Sequence, residues 1–217
     1  MGLLDILFPP KCVLCRKVLE YGEKNVCSQC QEHGPVCPTM KQKLPFIEGW
    51  CAIWYYQDDA RKSVLRYKFG NRRSYAGDYA DLLAQKLQTE FPEGFDLLTW
   101  VPISRMRKLR RGFDQVENLA KALAKRMEIT PVAALKKIRH NRPQSGIKEP
   151  SHRRANVLGV YKVMQPEALW GKRVLLLDDV ITTGATAGEC ARMLLTAGAR
   201  EVYVGVVACA RHDSKKK

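Results

Sequence analysis

Short apolar runs alternate with stretches of helical spacing along most of the chain. Four apolar or aromatic runs predict strands, at residues 50–56, 96–102, 173–177 and 201–208. Four stretches carry apolar side chains at helical spacing, at residues 59–69, 75–91, 113–127 and 186–197. Strands that alternate with helices predict an α/β fold, a parallel sheet flanked by helices. Ligands of such sheets bind beyond the carboxyl ends of the strands.

One predicted strand leads into the most informative polar segment, residues 173–186. Four apolar residues precede Asp178 and Asp179, which we expect at the carboxyl end of the strand, and Thr-Thr-Gly-Ala-Thr follows at 182–186. A polar turn before a helix offers backbone N–H groups and the helix dipole to a phosphate. The carboxylates would repel that phosphate, so we expect them to bind vicinal hydroxyls or a divalent cation. The segment therefore predicts a sugar-phosphate site rather than a purely structural turn. A Walker-type site is disfavoured because the chain has no G-x-x-x-x-G-K-[ST] motif.

The same segment resembles the phosphoribosyl pyrophosphate (PRPP) loop of the type I phosphoribosyltransferases. The resemblance implies that Asp178 and Asp179 hold the ribose 2′ and 3′ hydroxyls, while the turn cradles the 5′-phosphate. Mg²⁺ is expected with the pyrophosphate. The cradle comprises Thr182, Thr183, Gly184, Ala185 and Thr186.

Cysteine spacing near the start of the chain predicts a metal site. The pattern C-x2-C-x11-C-x2-C is formed by Cys12, Cys15, Cys27 and Cys30. Two such pairs can complete a tetrahedral thiolate shell, so we predict structural zinc. Disulfides are disfavoured because we recognise no signal peptide, and a redox C-x-x-C normally comes singly. We therefore predict a zinc-ribbon module over residues 1–45, folded largely by its metal, and a phosphoribosyltransferase-like domain over 46–217.

The remaining cysteines have no such pattern. Cys37 and Cys51 lack a C-x-x-C partner and stay unassigned, whereas Cys190 and Cys209 are predicted core residues.

Charge is concentrated in one part of the chain. The 217 residues carry a formal net charge of +15, of which residues 102–154 contribute +11. Such a basic region suits a pyrophosphate, a nucleic-acid backbone, or both. No apolar run approaches the roughly 18 residues of a membrane helix. We expect a cytoplasmic protein.

Two basic segments supply further candidates. Residues 105–111 are predicted to form a basic loop between a strand and a helix, and residues 139–154 a long loop or lid. Pyrophosphate candidates are Lys68, Ser104, Arg105, Arg110 and Arg111. Lid or DNA candidates are Arg139, Arg142, Gln144, Arg153 and Arg154.

Taken together, these motifs resemble the ComF family of competence-associated proteins, in particular its ComFC type. The resemblance rests on the opening residues 3–12, on Arg-Gly-Phe-Asp-Gln at 111–115, and on Gln144-Ser145 with Arg153 and Asn156. Asp114 stands where the family has Asn, and only Cys37 remains where many relatives carry further cysteine knuckles.

The resemblance implies a DNA-uptake protein that binds PRPP or a related ribose phosphate and single-stranded DNA. Its implied partners are a competence helicase and recombination-mediator proteins, which would link it to the membrane-associated DNA-uptake machinery. Two alternatives stay open. In the first alternative, the chain is an active phosphoribosyltransferase of nucleotide metabolism. In the second, it is a PRPP-sensing scaffold whose zinc module docks a protein. The fold does not decide between them.

Overall fold

A parallel sheet forms the centre of the molecule. The structure is a computed structural model that describes residues 8–39, 42–139 and 157–211. Within these residues the sheet has the order β1-β6-β5-β2, with all neighbours parallel. Its strands are β1 (Gly49–Tyr55), β2 (Leu97–Trp100), β5 (Arg173–Ile181) and β6 (Glu201–Cys209). The predicted fold class, a parallel sheet flanked by helices, is confirmed.

The other described elements surround this sheet. The helices are α1 (Ser28–His33), α2 (Asp58–Phe69), α3 (Tyr75–Glu90), α4 (Arg105–Arg111), α5 (Gln115–Met127) and α6 (Ala185–Thr196). Strands β3 (Leu135–Lys137) and β4 (Tyr161–Val163) form a separate antiparallel pair, and Pro166–Ala168 is a short 3-10 helix. None of the helices in these ranges is long and apolar enough to cross a bilayer.

Alternation along the central strands produces a core on each face of the sheet. Leu175 and Leu177 of β5 pack with α2, α3 and α5 on one face. Val174 and Leu176 point to the opposite face and pack with α6. Successive side chains of a strand point to opposite faces, so a strand buried on both sides is apolar throughout.

Two elements differ from the prediction. Residues 105–111 form helix α4 rather than a loop, because Ser104 Oγ accepts a hydrogen bond from the N–H of Arg107 at 3.3 Å and Gly112, at φ 75°, ends the helix. Strand β5 continues to Ile181, so Asp178 and Asp179 lie within the strand rather than after it. There Asp178 is in register with Val206 of β6.

The cysteine segment lies against helix α2. Ser63 Oγ donates a hydrogen bond of 2.5 Å to the carbonyl of Val13, within the first cysteine pair. Arg66 donates to the same carbonyl at 3.2 Å and also to the carbonyl of Leu14. Val13 and Leu14 are buried in the core that α2 and α3 form. Side chains of α2 therefore hold the backbone of the first cysteine turn.

The segment after the cysteine module packs on the opposite core. Leu44 and Ile47 are buried there, and Trp50 Nε1 donates to the carbonyl of Gln42 at 2.8 Å. A domain boundary at residues 45 and 46 stays a prediction. Cys190 and Cys209 are buried in this core, as predicted, and the Sγ atoms of Cys209 and Cys37 are 3.4 Å apart.

Candidate functional site

A cavity of about 900 Å³ opens beyond the carboxyl ends of β1, β2 and β5. The predicted cradle contributes a continuous run of its wall, residues 178–187. The other charged or amide side chains that line the cavity are Arg61, Lys68, Asn71, Arg107, Arg110, Arg111, Gln115 and Lys137. The structure thus brings the predicted PRPP-loop residues together with cations from three other segments, α2, α4 and β3.

The turn before α6 has the geometry of an anion site. Gly184 has φ +74° and immediately precedes the first residue of the helix, Ala185. A Cβ at Gly184 would lie 2.8 Å from Leu44 Cδ2, so the backbone angle favours glycine and any larger residue would have to displace the Leu44 side chain. Ala185 and Thr186 line the cavity, which places the N-terminus of α6 and its dipole at the wall.

The two carboxylates are not equivalent, because the protein already engages one of them. Asp179 Oδ1 forms an ion pair of 2.7 Å with Lys68 Nζ, and Asp179 Oδ2 accepts a hydrogen bond of 2.8 Å from Gln115 Nε2. Gln115 Oε1 is buried and has no hydrogen-bond partner among the described residues. Asp179 therefore positions Lys68 and Gln115, which both line the cavity.

Asp178 has a different environment. Its Oδ1 accepts a hydrogen bond of 2.8 Å from the N–H of Asp179. Burial, followed by the negative charge of Asp179, raises the pKa of Asp178 to about 8. The raised pKa favours the protonated carboxyl, which can exchange hydrogen bonds with a ligand hydroxyl. Deprotonated, it would offer an oxygen of the kind that Mg²⁺ prefers.

Cations from α4 and β3 line the cavity as well. Burial lowers the pKa of the half-buried Arg111 below the usual value, and the charge of Asp179 opposes this shift. Lys137 Nζ lies 5.5 Å from the centre of the Tyr161 ring. Burial and then the charge of Arg107 lower the pKa of Lys137 to about 8. These cations provide a positive counter-charge for an anionic ligand.

The residues predicted from the sequence for the basic loop and the lid fall into three groups: those that line the cavity, described residues that do not line it, and residues outside the described ranges. Lys68, Arg110 and Arg111 line the cavity. The Ser104 side chain caps α4 and Arg105 is exposed, and neither is among the described residues that line the cavity. Arg139 is described as an exposed residue just after β3. Outside the described residues lie Arg142, Gln144, Ser145, Arg153, Arg154 and Asn156.

Sequence reasoning did not select Arg107, Gln115 and Lys137 as site residues. Gln115 carried a usable signal, since it ends the Arg-Gly-Phe-Asp-Gln motif. Arg107 was one of several similar cations in 105–111, and Lys137 belongs to a strand that the pattern did not predict.

Asp114 has a structural role in helix α5. Its Oδ1 accepts hydrogen bonds from the N–H groups of Val116 and Glu117 at 3.0 and 3.1 Å, and Oδ2 accepts one from Ile103 at 3.3 Å. Asp114 is not among the described residues that line the cavity. It acts as a helix N-cap that ties α5 to the segment after β2.

The four predicted metal-ligand cysteines converge. The Sγ atoms of Cys12, Cys15, Cys27 and Cys30 all lie within 4.8 Å of one another. A tetrahedral zinc shell with Zn–S bonds of about 2.3 Å has sulfur–sulfur separations of about 3.8 Å. The Cys15–Cys27 Sγ distance is 3.6 Å. The cluster therefore fits a structural zinc ion. Cys37 and Cys51 are not part of it.

Comparison with known proteins adds an independent observation. Residues 110–217 match the model of the phosphoribosyl transferase domain. Competence protein F of Haemophilus influenzae is 26% identical, over 89% of this chain and 94% of that protein. The DNA utilization protein YhgH of Escherichia coli O157:H7 is 27% identical, over 90% and 95%. Competence protein ComFC of Streptococcus pneumoniae is 27% identical, over 88% and 96%.

Proposed function

We propose that this chain, which is similar to competence protein F and ComFC over about nine-tenths of its length and matches the phosphoribosyl transferase domain over residues 110–217, is a DNA-uptake protein. Its cavity binds PRPP or a related ribose phosphate together with Mg²⁺. It also binds single-stranded DNA, and it acts in the cytoplasm with a helicase and recombination-mediator proteins in natural transformation.

One observation supports the ligand above the others. The cradle at 182–186, the acid pair and the cations Lys68, Arg110 and Arg111 all face one cavity. A ribose phosphate with a pyrophosphate needs this combination: an N-terminal helix turn for one phosphate, acids for hydroxyls, and cations for the second anionic group. The resemblance to the PRPP loop points to the same ligand.

Each group then has a stated role. The N–H groups at Gly184 to Thr186 hold the 5′-phosphate, and Asp178 binds ribose hydroxyls. Asp179 contributes by positioning Lys68 and Gln115, which both line the cavity. Mg²⁺ would neutralise the pyrophosphate charge, and the carboxylate of Asp178 suits a hard cation of this kind.

Two kinds of evidence support the DNA component. Three related sequences are named for competence or DNA utilization. The net charge of +15 gives the chain a field that attracts polyanions. The helicase and recombination partners rest on the family resemblance.

The proposal is tested by thermal unfolding with PRPP and Mg²⁺, on the wild type and on Asp178→Asn. A ligand at about 100 times its Kd stabilises the folded state by about 2.7 kcal/mol, which raises the melting temperature. We expect a clear rise for the wild type and a smaller one for Asp178→Asn. Asp59→Asn, on the exposed start of α2, is the control and should behave as the wild type. If PRPP leaves the wild-type melting temperature unchanged, the ribose-phosphate assignment is wrong.

An active phosphoribosyltransferase is the second candidate. The size of the cavity, about 900 Å³, favours it, because PRPP alone leaves room for an acceptor. Release of pyrophosphate from PRPP in the presence of purine bases or amines would support this activity. Bound PRPP that stays intact with every acceptor tested would favour the non-catalytic role.

A further inference from the structure

An exposed aromatic ring lies at the rim of the cavity among basic side chains. The surface combines the end of α2 with α4 and the loop after α2, and we call it the rim surface. Its members are Phe69, Arg73, Arg107, Arg110 and Arg111. We propose that the rim surface binds single-stranded nucleic acid, with one unpaired base stacked on Phe69. This inference rests on the DNA component of the proposed function and assigns it to a place on the molecule.

The structure joins the two segments of the rim surface directly. The Arg111 guanidinium lies 4.8 Å from the centre of the Phe69 ring. Arg73 Nη2 donates a hydrogen bond of 3.0 Å to the carbonyl of Gly112, which ends α4. Residues about forty positions apart in sequence therefore form one continuous surface.

Phe69 contributes little to the core. It is 67% exposed, although it follows Lys68 at the end of α2 and lines the cavity. A single exposed apolar side chain is unremarkable on its own. Here the cation–π contact with Arg111 holds the ring in place beside a positive charge, which is the pairing that nucleic-acid-binding grooves present to a base and its phosphate.

The charge of the surface suits a polyanion. The seven residues of α4 include five Lys and Arg and no acid. Only Lys108 of this helix pairs with a described carboxylate, that of Glu117 at 2.9 Å. The arginines of α4 therefore keep their charge for an external partner, and phosphates of a nucleic-acid backbone are the matching group.

Stacking selects a single strand over a duplex. In a duplex the faces of the bases are covered by neighbouring bases, so a flat ring on the protein surface has nothing to stack on. An unpaired base presents a free face, and such stacking contributes about 1–3 kcal/mol per base.

An anionic membrane surface is the competing occupant, because Leu109 and Met106 of α4 are 86% and 67% exposed on the same helix as the arginines.

The test measures fluorescence anisotropy of a labelled 20-nucleotide oligo-dT at low salt. Phe69→Leu keeps an apolar side chain but removes the ring, and we expect it to weaken binding by about 5- to 150-fold. Phe69→Trp keeps an aromatic ring at this position and should bind with the affinity of the wild type. Tyr21→Leu is the control: it removes an aromatic ring that is 101% exposed from the cysteine segment, and the variant should bind the oligonucleotide as the wild type does. Melting temperatures of the variants check that each is folded.

Salt dependence tests the arginines separately. Arg110→Gln should make the slope of log affinity against log salt shallower by about 0.7, the value for one lost phosphate contact on a single strand. An unchanged slope would contradict the assignment of α4 to the backbone of the strand.

The outcomes separate this inference from the proposed function. If the wild type does not bind the oligonucleotide, the DNA component of the proposed function fails and the inference fails with it. If the wild type binds but Phe69→Leu binds equally well, only the inference fails. It also fails if Phe69→Leu weakens binding to a duplex as much as to the single strand. Binding to phosphatidylserine vesicles that depends on Phe69, with unchanged oligonucleotide affinity, would identify a membrane contact instead.

Discussion

The ion pair between Lys68 and Asp179 should be a strong energetic link between helix α2 and the candidate site. Their charged atoms are 2.7 Å apart, and the two side chains are only 17% and 11% exposed. We predict that Lys68→Met and Asp179→Asn are each destabilising, and that the double variant is more stable than the sum of the single effects implies. Replacing Lys68 alone leaves a nearly buried carboxylate with Gln115 as its remaining partner.

The expected coupling energy follows from the burial of the pair. Exposed ion pairs contribute about 0.2–1 kcal/mol, whereas removing one partner of a buried pair costs about 3–5 kcal/mol. This pair lies between these limits, so we expect a coupling energy of about 2 kcal/mol. For Lys68→Met alone, a loss of about 2 kcal/mol would lower the melting temperature of a chain of this size by about 4–8 °C.

A double-mutant cycle in urea unfolding measures the coupling. The chain offers a matched control cycle on the same helix, because Lys62 and Asp59 form a pair of 3.0 Å that is 66% and 43% exposed. Lys62→Met and Asp59→Asn should couple by less than about 0.5 kcal/mol. If the Lys68–Asp179 coupling is as small as that of the control, the two groups act independently and the positioning role of Asp179 is wrong.

Three further predictions concern metal, pH and the backbone of the cradle. Either a chelator or the substitution Cys27→Ser should lower the melting temperature sharply, and added Zn²⁺ should restore the melting temperature only in the wild type. If a chelator leaves the melting temperature of the wild type unchanged, the protein has no structural metal. Without Mg²⁺, binding of ribose 5-phosphate should weaken between pH 7 and pH 9 in calorimetric titrations, because above about pH 8 Lys137 loses its positive charge while Asp178 becomes negative. Lys137→Met should flatten this profile, and a profile of equal steepness in the variant would count against the role of Lys137. Gly184→Ala should lower the free energy of unfolding by about 1–3 kcal/mol, since φ is +74° and the new Cβ would contact Leu44. Combining it with Leu44→Ala should remove the steric part of this cost and leave the part that comes from the backbone angle.

Much of the architecture could be predicted because the central strands are buried on both faces. Residues 173–177 and 201–208 are short and nearly all apolar, which is typical of strands buried on both faces. The cysteine spacing and the polar turn at 182–186 were equally readable, since each is a local motif whose chemistry depends on neighbours in sequence.

The features that escaped prediction are one short helix without an apolar face and several contacts between distant segments. Helix α4 has no apolar face to reveal it, and it forms because Ser104 and Gly112 define its ends. The unequal roles of the acid pair arise from Lys68 and Gln115, which are more than sixty residues away in sequence from Asp179. No local pattern encodes such a contact.

Helix α2 connects two sites that the sequence treats as separate. Ser63 and Arg66 hold the carbonyls of the first cysteine turn, and Lys68, within one turn of Arg66, holds Asp179. Since a helix is stiff over so short a distance, a displacement at one of its contacts reaches the other. The cysteine cluster and the sugar-phosphate cradle should therefore be thermodynamically linked. By reciprocity, the factor by which the metal raises the affinity for the ligand equals the factor by which the ligand raises the affinity for the metal.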